Sequence, residues 1–241
     1  MRAFALMLGS AGIAAALSLV GAVLAERTDP PQRVISSALQ FAAGILSAMV
    51  AFTLMPAAVR GIEPAWLAGA FFAGGALFIG LEYGASRLLA GDSAAQSRSI
   101  GLHLGILLDL LIDGAAIGIG AAVDPTTGLL LAIGVGIHSL PLVFVMIATA
   151  GRQGLPRGQR LQLTLLAMAA LIVDALIGFI GLQGQSPHTK LVLTTLIAGF
   201  LFTTITQSMI PEATRKAETP FSGLVFLGGL ALFALISLSG A

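Results

Sequence analysis

Four ionisable side chains stand where the sequence otherwise offers only hydrocarbon: Asp109, Asp113, Asp174 and His138 all fall inside long apolar runs. A carboxylate at the centre of a lipid-embedded helix costs about 2.5–3.5 kcal/mol, so three together cost on the order of 10 kcal/mol. Something must offset that. Asp109 and Asp113 are four residues apart, which on a helix puts both on one face, roughly 6 Å apart along the axis. Carboxylate oxygens joined by one imidazole nitrogen suit a divalent cation such as zinc, iron, manganese or cobalt. The chain has no cysteine, which removes thiolate ligands, disulfides and a cysteine nucleophile. The same residues could instead form a structural Asp–His network, or stay protonated at a helix interface. Intramembrane ionisable groups are functional by default, which favours metal or proton handling.

Enzyme chemistry fits these residues less well. Aspartyl proteolysis needs two carboxylates converging on one proton, and successive turns of one helix hold Asp109 and Asp113 apart. Gly9-Ser10-Ala11-Gly12 resembles a serine-nucleophile setting, yet no histidine is near it in sequence. The expectation is a protein that is not an enzyme and uses no organic cofactor. Around the ionisable group, Ser139 adjoins His138, and Pro141 follows three residues later. Its missing N–H frees a carbonyl near the same depth and predicts a kink.

These side chains need elements that span lipid, and the composition supplies them. The 241 residues are 57% hydrophobic and 10% charged, too little polar surface to cover a water-soluble globule. The net charge of +1 gives no basic field for nucleic acid, which is excluded as a partner. Eight apolar runs, at 3–25, 34–59, 65–85, 100–122, 128–150, 159–184, 191–212 and 220–240, are each long enough to cross about 30 Å of hydrocarbon as a helix. The expected fold is an all-α polytopic bundle of eight transmembrane helices, one transmembrane domain over residues 1–241.

Breakers separate the runs at Pro30-Pro31, Glu63-Pro64, Gly91-Asp92-Ser93, Asp124-Pro125, Gly154-Leu155-Pro156, Ser186-Pro187 and Pro220. The midpoints of helices 4, 5 and 6 lie near residues 111, 139 and 171. The four ionisable side chains therefore share one depth to within roughly 5 Å. With the N-terminus outside, nine basic residues fall on inward connectors and three on outward ones, so both termini are expected outside. The first run, about 22 residues, exceeds the 7–15 residues of a signal-peptide core, and is read as a retained helix.

The motifs around these residues resemble the ZIP family of divalent-metal transporters. Asp109-Leu110-Leu111-Ile112-Asp113-Gly114 is similar to that family's helix 4 motif, and His138-Ser139-Leu140-Pro141 to its helix 5 motif. Met55-Pro56-Ala57 and Met209-Ile210-Pro211-Glu212-Ala213 resemble the proline-containing ends of its helices 2 and 7. The resemblance implies Asp109, Asp113 and His138 as metal ligands, with Asp174 where the family has a helix 6 acid. Leu110 and Leu142 stand where the family has an asparagine and a bridging acid, which favours one metal over two. Ala57 replaces the acid expected near the outer end of helix 2. Gln207 and Ser208, with Ser47, Met49, Thr53 and Thr204, are pathway or packing residues on helices 2 and 7. His103 is expected to be interfacial, and His188 lies in a connector.

The expected function is a ZIP-like carrier moving zinc, iron, manganese or cobalt cations, as substrate, through the bacterial inner membrane, with a homodimer left open. The alternative is a ZIP-like protein that no longer transports metal and acts as a sensor, a partner subunit or a carrier of another solute. The matching proline patterns of helices 2 and 7 hint at an inverted repeat.

Overall fold

A computed structural model describes residues 2–28, 30–88, 94–215 and 221–239. The connectors expected at Gly91-Asp92-Ser93 and Pro220 lie outside these residues, as does the side chain of His103. Every element among the described residues is helical. In chain order they are α1 (Arg2–Arg27), α2 (Gln32–Met49, a π turn Val50–Leu54, then Met55–Gly61), α3 (Pro64–Leu88) and α4 (Ala94–Val123). They continue as α5 (Pro125–Arg152), α6 (Arg157–Leu182), α7 (Pro187–Thr204, a π turn Ile205–Met209, then Ile210–Arg215) and α8 (Ser222–Ser239). Six of them, α1, α2, α3, α5, α6 and α7, contain stretches long and apolar enough to cross a membrane, and α8 is a shorter apolar helix.

The sequence sets the breaks between rods by local chemistry. Asp124 caps α5 by accepting from the Thr127 N–H at 2.9 Å, with Pro125 in the first turn. Ser186 does the same for α7 through Thr189 at 3.1 Å, again followed by proline. Such caps satisfy N–H groups that a helix start leaves without partners. Gly154 turns the chain after α5 at φ +78°, a left-handed conformation that glycine adopts without steric cost.

Inside the bundle the main neighbours are α1 with α5, α4 with α6, α2 with α8, α3 with α7, and α4 with α5. Of these six, α5 is the most enclosed, with 72% of its most apolar stretch buried, while α3 has 17% and faces outward. His138 thus rides on the central rod. Pro141 lies within α5, and the helix continues to Arg152 on its far side.

Two features repeat along the chain at one constant interval. Pro56 follows the π turn Val50–Leu54, and Pro211 follows the π turn Ile205–Met209 at the same spacing. A proline clashes with the carbonyl four residues before it, here Phe52 and Gln207, and one extra residue in the turn relieves the clash. The same interval relates Gly44 to Gly199 and Gly74 to Gly229. Gly44 seats α2 on Phe226 and Leu230 of α8, and Gly229 returns the contact to Phe41 and Ile45. Gly74 seats α3 on Leu196 and Phe200 of α7, and Gly199 returns it to Phe71. Hence α1–α3 and α6–α8 are two copies of one three-helix pattern, flanking the central pair α4 and α5. Where successive rods alternate in direction, the copies run in opposite senses.

Candidate metal centre

The centre is built where α4 packs on α5. Asp109 and Asp113 sit one turn apart on the face of α4 that also buries Ile106, Leu110 and Ile117. His138 enters from α5, and the three side chains are 1%, 0% and 0% exposed. Its Nε2 lies 3.2 Å from Asp109 Oδ2 and 3.2 Å from Asp113 Oδ2. One ligand atom from each of the three residues can be chosen so that all lie within 4.8 Å of one another, the geometry of a group that could hold a metal ion.

Hydrogen bonding alone does not account for this arrangement. One imidazole nitrogen carries at most one hydrogen, so Nε2 can serve only one of the two carboxylates it faces. Among the described residues, Asp109 Oδ1 and both oxygens of Asp113 are buried without a hydrogen-bond donor. Buried carboxylate oxygens normally have partners, and leaving them without any is costly. A cation between them would satisfy all three side chains at once. In a tetrahedral site with bonds of about 2.0–2.1 Å, neighbouring ligand atoms stand about 3.3–3.4 Å apart, close to the 3.2 Å seen from Nε2 to either carboxylate.

Ser139 is fully buried, and its hydroxyl shares a hydrogen bond of 2.8 Å with Ser18 on α1. Pro141 lacks an N–H, so the Ile137 carbonyl beside His138 loses its helical partner. Asp174 stands apart from the group of three. It is half-buried on α6, its Oδ2 lacks a hydrogen-bond partner among the described residues, and its Cβ lies 3.0 Å from where a side chain on Gly114 would begin.

Asp109 also borders a cavity of about 20 Å³ shared with Leu39, Thr204, Ser208 and Glu212, room for about one water molecule or bare ion. A second cavity, of about 150 Å³, begins at the same Leu39 and Glu212 and reaches Gln32, Thr149 and Arg152 at the end of α5. The two cavities share Leu39 and Glu212 in their linings, the second lying toward one end of the bundle. Ser208 lines the first of them, while Gln207 is exposed on the π turn. His188 is far from this chemistry, set edge-on against Trp66 with ring centres 5.6 Å apart. Among Ser47, Met49 and Thr53, the hydroxyl of Ser47 is spent on the Ala43 carbonyl, and Met49 is fully buried. Glu212 was legible only as part of a proline motif; its place beside Asp109 depends on how α7 meets α4. Compared with known proteins, the chain matches no family model and no curated protein sequence.

Proposed function

We propose that this chain is a ZIP-like carrier of divalent metal cations, with eight membrane-spanning helices and both termini on the outer face of a bacterial inner membrane. One observation carries the reading: a buried imidazole nitrogen 3.2 Å from each of two carboxylates, in a group with three carboxylate oxygens lacking donors. The cation is substrate, held by Asp109, Asp113 and His138. Cavities lined by Ser208 and Glu212 between the group and one end of the bundle support passage over permanent storage. An oxygen and nitrogen ligand set without thiolate suits zinc, manganese, ferrous iron or cobalt rather than monovalent copper. No step of this reading calls for enzymatic chemistry or an organic cofactor.

The ZIP likeness rests on the helix 4 and helix 5 motifs. Leu110 and Leu142, apolar where that family has ligands, favour a second reading in which the chain binds metal without moving it. Metal analysis of the purified protein, followed by uptake into proteoliposomes across a panel of divalent cations, tests both. Carriage predicts bound metal and uptake abolished by Asp113→Asn. Bound metal without uptake selects the second reading, and no metal binding in the parent overturns both.

A further inference from the structure

Away from the metal group, α1 and α6 leave a groove of about 560 Å³ between them. Its walls are apolar and outward-facing: Leu19 is 43%, Val23 38% and Leu161 56% exposed. Its end is different, since Arg27 closes α1 and Arg157 opens α6 there, both lining the groove. The acid at this end, Glu26, is already engaged. Arg160 donates to both its oxygens, from Nε at 2.6 Å and from Nη2 at 2.8 Å. Arg157 reaches Glu26 only at 3.7 Å, and its side chain is 86% exposed. Glu26 and Arg160 therefore cancel, and Arg27 and Arg157 remain as two positive charges at the end of an apolar trough.

We infer that this groove holds an anionic phospholipid, with its phosphate on Arg27 and Arg157 and an acyl chain along Leu19, Val23 and Leu161. The shape and charge match that molecule part for part. A free phosphate would use the arginines and leave the apolar wall idle, while a zwitterionic phospholipid would fill the wall but bring its own ammonium charge to an end that is already positive. Basic residues at the membrane surface attract anionic headgroups, each contributing about a fivefold preference. Gly158 leaves open space beside the headgroup position, with no atom within 4 Å of where a side chain would begin.

The test is native mass spectrometry of the full chain released from vesicles of phosphatidylcholine containing a minor share of phosphatidylglycerol. The parent should retain phosphatidylglycerol over phosphatidylcholine by about thirtyfold, the product of two such preferences. The double variant Arg27→Gln with Arg157→Gln should lose that preference, and Arg157→Lys should keep it. Leu161→Trp, which fills the trough without touching charge, should expel the lipid, while Arg60→Gln should change nothing. Thermal unfolding in neutral lipid checks that each variant is folded. Equal retention of both lipids by the parent, or displacement of phosphatidylglycerol by inorganic phosphate, overturns the inference. So does a dimer that forms without anionic lipid and is broken by Leu161→Trp, which would assign the groove to a second copy of the chain.

Discussion

Among the described residues Asp113 has no hydrogen-bond partner on either oxygen, although its Oδ2 lies 3.2 Å from His138 Nε2, so replacing it with asparagine separates two explanations of its burial. Asp113→Asn keeps the volume and removes the charge that draws a divalent cation from water. If the group exists to hold metal, binding should collapse while the metal-free protein gains stability, because a buried carboxylate is costly. If the group is a structural ion pair with His138, the same change leaves a partner uncompensated and costs about 3–5 kcal/mol. Calorimetric metal titration and thermal unfolding of the same sample, with and without metal, read both quantities. A destabilised variant that still binds metal as the parent does would reduce Asp113 to a packing residue. Ligands must also be deprotonated to bind, so apparent metal affinity should fall as pH is lowered, with protons released on binding; a titration that releases none at any pH counts against carboxylate and imidazole ligation. At this scale the sequence was informative because Asp109 and Asp113 share a helix, and four-residue spacing needs only local geometry. Asp174 was harder, since depth along a helix says nothing of direction around it. Glu212 depends on the meeting of α4 with α7, which no spacing within one helix encodes.

Among the helices, contact is set by bare glycine surfaces at corresponding places in the two copies. A side chain added at Gly44 would meet the Phe226 backbone, and one at Gly199 would meet the Phe71 backbone. Gly44→Ala and Gly199→Ala should therefore each destabilise the protein by about 1–3 kcal/mol, the usual cost of overpacking. Gly80, with no atom within 4 Å of where a side chain would begin, is the control, where alanine should be neutral or stabilise by about 0.4–1 kcal/mol. Unfolding midpoints in one detergent would show the contrast; equal effects at all three positions would remove the packing role. The apolar runs revealed most helix centres because length and hydropathy suffice to find them. The π turns were not legible, since an extra residue inside a continuous apolar helix leaves no mark in composition. Pro56 and Pro211 were the only local signs, and a proline is equally compatible with a simple kink.

At the scale of the whole molecule, the lack of cysteine makes orientation directly measurable. Gln159 is exposed in the first turn of α6, and Gln185 is exposed in the connector beyond its other end. In intact cells, a cysteine replacing Gln185 should react with an impermeant thiol reagent, and one replacing Gln159 should be shielded. The reverse pattern would invert the topology drawn from the basic residues. The centre described above also has an electrical consequence. If the chain carries metal as proposed, two carboxylate ligands and an uncharged imidazole balance one divalent cation, and the loaded centre has no net charge. Moving an elementary charge through 100 mV is worth about 2.3 kcal/mol, so a membrane voltage has little grip on a loaded centre without net charge. Exchange of labelled for unlabelled metal, which involves only loaded protein, should proceed at the same rate whatever diffusion potential is imposed; a rate that follows the potential would show charge left on the loaded centre.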